Sequence, residues 1–242
     1  MEVWICIGLF ALTVASSFIQ RVTGFGFGIL MMTLLPVLMP TYGEATALSG
    51  LLAIFTALVP AIQTRKYLDW KKLLPILIVF LVTSWIGVRL VARLDSDLLK
   101  HVVGGVLMAV SLWFLITGGR IRMAPTWPVQ AGMGTLSGLM GGLFAMQGPP
   151  AVIYFLAAAD SKDQYIALTQ WYFLIGNIFM AFFRAGSGFV TMGVLKLWCV
   201  AIPGVFLGLF LGAKIYKRIR TEELRRIIYA FLMIAGLLAL LR

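Results

Sequence analysis

The 242-residue sequence predicts an all-α integral membrane protein made of two inverted-topology repeats, each a broken, re-entrant helical hairpin plus three transmembrane helices. Three observations predict it. The chain is 61% hydrophobic and 12% charged, with mean hydropathy +0.99, whereas a soluble domain of this size carries about 25% charge. The charges are clustered: all but Glu2, Arg21, Glu44, Arg184, Lys196 and Arg242 lie in 65–72, 89–101, 120–122, 160–163 and 214–226. The apolar stretches between clusters run roughly 17–25 residues, the length that crosses a hydrocarbon core. Finally, two such stretches are broken by glycine and proline at corresponding places in the two halves.

The first element, 3–20, is apolar from Val3 but begins Met-Glu. It lacks a basic n-region, so a membrane-anchored N-terminus facing outward is expected rather than a cleaved signal peptide. Gly24-Phe25-Gly26-Phe27-Gly28 then interrupts the run, and 27–40 resumes it. Helices 44–64, 72–91 and 99–117 complete a first repeat, 1–117. A basic linker, 118–128, follows. In the second repeat, 129–242, segments 129–146 and 151–159 flank Gln147-Gly148-Pro149-Pro150, where proline stops helix propagation. Helices 165–184, 193–214 and 224–241 end the chain.

The halves match at an offset of 125: Gly87-Val88-Arg89 lies over Gly212-Ala213-Lys214, Arg93-Leu94 over Arg218-Ile219, and Leu99-Lys100 over Leu224-Arg225. The two breaks align at nearly the same offset. Matched charges and loop residues are harder to obtain by chance than matched apolar runs, so a duplication is inferred. Lys and Arg accumulate on the cytoplasmic side of membrane proteins. If 3–40 and 129–159 each enter and return, one side carries Arg65, Lys66, Lys71, Lys72, Arg120, Arg122, Lys162, Lys217, Arg218, Arg220, Arg225 and Arg226. The other keeps Arg89, Arg93, Lys100, Arg184 and Arg242. That bias, absent if each hairpin crosses once, selects opposed repeats with both termini outside the cell (inner) membrane. Segment 151–159 reaches only about 14 Å and 27–40 about 21 Å, short of the roughly 30 Å core. The hairpins are therefore expected to re-enter, one from each face, with their tips meeting near the midplane.

A helix that starts inside a membrane presents unpaired N–H groups and the positive end of its dipole, and anions bind there. The predicted substrate site is Gln20, Arg21, Thr23, Gly24, Phe25 and Gly26 at the first break, and Gln147, Gly148, Pro149 and Pro150 at the second. Gln170, Trp171 and Asn177 join them from helix 165–184. Several roles stay open. Arg21, the one basic residue before Arg65, reads equally as an oxyanion ligand and as a residue snorkelling to headgroups. Gln170 and Asn177 share a helix face, and such residues also glue helices together. Phe25, Phe27, Trp171 and Tyr172 wall a pocket or simply pack. Arg184 reads as a surface anchor ahead of a gate, and His101 as solvated ahead of a proton relay.

Other classes are disfavoured. The net charge of +11 is explained by basic topogenic loops, and no nucleic-acid module is visible. Cys6 and Cys199 are read as packing residues. No Ser-His or Cys-His pairing, metal-ligand cluster or paired carboxylates occur in the apolar segments, so neither an enzyme nor a cofactor is expected. No Asp or Glu lies well inside a predicted helix, which argues against a cation substrate. Glu44 stays a candidate for a coupling proton. A small anion and membrane lipid are the expected partners, with a coupling proton or cation and a homo-oligomer left open.

In Gln20-Arg21-Val22-Thr23-Gly24-Phe25-Gly26-Phe27-Gly28, and in Gly141-Gly142 followed by Gln147-Gly148-Pro149-Pro150, the chain resembles the sulfite exporter TauE/SafE family of membrane transporters. The likeness in layout covers essentially the whole chain. It departs at Gln147, where relatives often carry glycine. The resemblance implies movement of small sulfur-containing anions, sulfite or an organosulfonate such as sulfoacetate, in a direction it does not fix. An anion channel and a non-transporting membrane scaffold are the alternatives.

Overall fold

The computed structural model describes residues 3–94, 125–219 and 223. The predicted helices 99–117 and 224–241, most of the 118–128 linker and His101 lie outside the described residues. Within them the chain is helical, with no strand. The helices are α1 (Val3–Thr23), α2 (Phe27–Leu38), α3 (Tyr42–Thr64), α4 (Trp70–Val91), α5 (Trp127–Phe144), α6 (Gly148–Ala158), α7 (Lys162–Gly186) and α8 (Met192–Tyr216).

Four of the long helices, α3, α4, α7 and α8, begin where a side chain satisfies a free amide. Thr41 accepts from the Glu44 N–H at 3.2 Å, Asp69 from Lys71 at 2.9 Å, Ser161 from Gln164 at 3.1 Å and Thr191 from Val194 at 3.3 Å. The short helices α2 and α6, like α5, have no side-chain cap. Two boundaries differ from expectation. α1 continues through Thr23 instead of ending at residue 20, so Arg21 and Thr23 join Gln20 on its last turn. α6 starts at Gly148 instead of 151, because Pro149 and Pro150, with φ already set for a helix, form its first turn.

Two long contacts organise the bundle: α1 lies along α8, and α4 along α5. Each is seamed by three glycines four residues apart. Gly204, Gly208 and Gly212 of α8 face the carbonyls of Phe10, Val14 and Phe18, while Gly134, Gly138 and Gly142 of α5 face those of Ile76, Phe80 and Ser84. A Cβ at any of the six would fall within 3.1 Å of the carbonyl oxygen, so backbones approach as they do in small-residue membrane interfaces. Residue numbers rise together across both seams, so each pair runs parallel.

Between the seams, α3 packs on α7. Gly50 of α3 lies against Arg184 near the end of α7, and Glu44 accepts from Thr191 just beyond it at 2.8 Å. Towards the other end Trp70, the first residue of α4, meets Trp171 in the first half of α7 with ring centroids 6.1 Å apart. α3 and α7 therefore run in opposite directions. Among the described residues, α1, α3, α4, α7 and α8 are long and apolar enough to cross a membrane. Their outer faces expose residues such as Ile78, Val82, Phe206 and Phe210. Such a surface suits lipid and would be an aggregation liability in water.

Candidate functional site at the paired helix breaks

At the first break Gly24 and Gly26 adopt left-handed backbone (φ 88° and 101°), which glycine enters without strain. The turn is braced from α1 and α7. Gln20 Oε1 accepts the Phe27 N–H at 3.2 Å, and Gln20 Nε2 donates to Gln170 Oε1 at 3.4 Å. Gln170 Nε2 donates to the Gly24 carbonyl at 2.6 Å. The Thr23 hydroxyl donates to Phe25 O at 2.7 Å, and that of Tyr165 to Thr23 O at 3.0 Å.

The second break is tied in a matching way. Ala145 ends α5 in left-handed backbone, its N–H on the Gly141 carbonyl at 3.0 Å. The Tyr172 hydroxyl donates to Ser137 Oγ at 2.8 Å, and Ser137 donates to the Gln147 carbonyl at 2.5 Å. Gln147 Nε2 donates to Asn177 Oδ1 at 3.0 Å. Gln170 and Asn177, seven residues apart on α7, thus each hold one break.

The two breaks touch. Gly28 sits against the Ala145 carbonyl with no room for a Cβ, and a Cβ on Gly148 would lie 3.2 Å from the Phe25 ring. By length α2 and α6 reach about 18 and 16 Å, so neither alone crosses a bilayer core of about 30 Å. A cavity of about 30 Å³ remains between the tips, lined by Gln20, Gly26, Gly28, Gln147, Gly148 and Asn177 among others. That volume is about one water's share of the liquid. The amides facing it are unequal. α2 brings the uncapped N–H groups of Gly28 and Ile29, the Phe27 N–H being taken by Gln20. α6 brings that of Gly148, since its next two residues are prolines and have no N–H.

Not every predicted residue reaches the cavity. Phe25 is buried against Gly148, and Pro149 and Pro150 are buried in the first turn of α6. Trp171 packs on Trp70, and Tyr172 between Phe80 and Phe155. Arg21 stands off the cavity: its Nη2 donates to Gln63 Oε1 at 2.7 Å and its guanidinium lies 5.3 Å from the Tyr216 ring centre. Arg184 is not a surface anchor. It is 1% exposed, because Gly50 leaves space for its head group and the Gly141 carbonyl accepts from it. Ser137 and Tyr165 are braces that the sequence reading missed; hydroxyls in apolar helices carry no periodicity that would single them out.

Apolar helices long enough to span, with two uncapped helix starts meeting in the interior, define a multi-pass membrane protein built around broken helices, a form tolerated in lipid only where the freed backbone faces protein or a cavity. The chain belongs to the sulfite exporter TauE/SafE family, whose model matches residues 9–239. It is similar to the probable sulfite/organosulfonate exporter TauE of Cupriavidus necator, at 23% identity over 240 residues, 95% of this chain and 91% of that protein. No solved structure matches it.

Proposed function

We propose that this protein is a secondary transporter of small sulfur-containing anions, sulfite or an organosulfonate such as sulfoacetate, working by alternating access across the cell membrane. The observation that carries the reading is the abutting pair of uncapped helix starts around one small polar cavity. Exposed amides and aligned dipoles favour a negative guest without a dedicated charged ligand. Gly28, Ile29 and Gly148 amides hold the oxyanion, and Gln20, Gln147 and Asn177 supply side-chain hydrogen bonds. Thr23, Gly24, Phe25, Pro149, Pro150 and Gln170 shape the tips, Trp171 walls their approach, and Arg21 attracts the anion from one side. The cavity is too small for such an anion until the tips part, so binding accompanies movement of one half against the other.

The halves are inverted repeats with re-entrant hairpins. In support, α3 and α7 occupy equivalent places in the two halves and run oppositely, and the α1–α8 seam has its counterpart in α4–α5. The end bearing Arg65, Lys66, Lys71, Lys72, Lys162 and Lys217 faces the cytoplasm, and both termini face outward. The sequence has no nucleotide-binding motif, so an ion gradient, the membrane potential or a partner drives transport. In proteoliposomes, sulfite flux is expected to saturate and to show counterflow, and Gly26→Leu to abolish it by forcing a side chain into left-handed backbone. Flux without saturation or counterflow would identify a channel instead. A purified protein neither stabilised by any sulfur or carboxylate anion nor transporting one would leave only a scaffold.

A further inference from the structure

The geometry points to Arg184 as a second anion-binding station, one step from the break cavity, which a small oxyanion occupies on its way through. This inference rests on the transport reading above. Arg184 is 1% exposed, one of the largest fully buried side chains in the protein. Arginine stays protonated in proteins, and a buried charge is costly unless paired. Yet among the described residues no carboxylate pairs with it. Its Nη2 donates to the Gly141 carbonyl at 2.8 Å, while among the described residues Nε and Nη1 find no hydrogen-bond partner. A buried guanidinium with two unengaged nitrogens has donors to offer an anionic guest.

Its position fits the path. Gln170, Asn177 and Arg184 are spaced by seven on α7, and all three are buried. The first braces one break, the second the other. The third reaches Gly141, where an added Cβ would lie 2.9 Å from Gln147 Cβ, beside the cavity. The first half makes the corresponding contact with roles exchanged: Arg21, near the end of α1 and next to the cavity residue Gln20, donates to Gln63 near the end of α3. Each buried arginine thus stands where a hairpin's first helix meets the end of a central helix, and the two flank the cavity from opposite ends. The ligand class is a small oxyanion, since its oxygens match the guanidinium's planar array of donors.

The test titrates sulfite into the purified full-length protein, wild type, Arg184→Gln and Arg184→Lys, by calorimetry, alongside the anion-free melting temperature of each. Losing a charged hydrogen-bond donor to the anion should weaken sulfite binding about tenfold or more in Arg184→Gln, with partial recovery in Arg184→Lys. The anion-free melting temperature should be unchanged or higher in Arg184→Gln, because an unpaired buried charge is gone. Wild-type affinity in Arg184→Gln with a lowered melting temperature would make Arg184 a purely structural residue and overturn the station alone. If Arg184→Gln does not fold, Gly50→Ala, whose methyl displaces Nη1, takes its place, and wild-type affinity in both Gly50→Ala and Arg184→Lys overturns the station. Absence of binding to the wild type by both sulfite and sulfoacetate, titrated in parallel, would overturn the transport reading and the station with it.

Discussion

Gln147 makes three different contacts at the second break. Its carbonyl receives Ser137, its amide donates to Asn177, and its Cβ lies against Gly141 while the side chain borders the cavity. The side chain therefore limits what fits between the helix tips. Removing it in Gln147→Gly keeps an ordinary helix-capping conformation (φ −66°) and opens the space now filled by the amide. We expect sulfoacetate to gain on sulfite by several-fold in a competition flux assay, because a longer anion can then use that space; an unchanged ratio would remove Gln147 from the selectivity site. The Gln147–Asn177 bond could not be read in advance. The partners are 30 residues apart on different helices, and nothing in either segment's pattern links them. The shared face of Gln170 and Asn177 was legible, because a spacing of seven is a property of one helix.

The breaks were visible in the sequence for a physical reason: glycine and proline are the residues whose backbone chemistry interrupts a helix, and few other signals stand out in an apolar run. Their limits were read less well. The sequence pattern sets Pro149 and Pro150 just ahead of a helix whose first turn they form in the structure. The glycine seams were missed although Gly134, Gly138 and Gly142, and Gly204, Gly208 and Gly212, recur every four residues. In a chain holding 25 glycines, spacing alone does not separate a seam from background. The seams make a paired prediction. A methyl at Gly138 meets the Phe80 carbonyl and the Thr83 hydroxyl, so Gly138→Ala should cost about 1–3 kcal/mol through overpacking. Gly132 also lies on α5, with nothing within 4 Å of an added Cβ, so Gly132→Ala should be neutral or stabilising by up to about 1 kcal/mol. Melting curves of the two variants in one detergent compare them directly, and equal effects would show that the seam does not govern stability.

At the scale of the molecule, the two ends of the bundle join the halves with different chemistry. At one end Lys72 bridges to Asp160 at 2.8 Å, and Lys162 caps the carbonyls of Tyr216 and Ile219 at 3.1 and 2.8 Å. At the other, Glu44 holds Thr191. The proposed duplication rests on loops and charges that repeat in the sequence, and the proposed direction of each half on the charge bias. How the halves interlock was not legible, since α1 seeks α8 and α4 seeks α5 across the chain through backbone contacts that no local pattern announces. Opposed halves have a consequence that same-direction halves do not. The segment after α3 and the segment after α7 occupy equivalent places in the two repeats, so inversion sends them to opposite faces of the membrane. Lys71 stands in the first turn of α4 just past the first segment and Met192 opens α8 just past the second, and both are exposed. In a chain carrying Cys6→Ala and Cys199→Ala, a membrane-impermeant maleimide should label Met192→Cys in intact cells. Lys71→Cys should react only after permeabilisation, because the positive charge around it holds that end in the cytoplasm. Labelling of both positions from the same side would mean that the repeats run the same way, and the helix starts could not then approach one another from opposite faces.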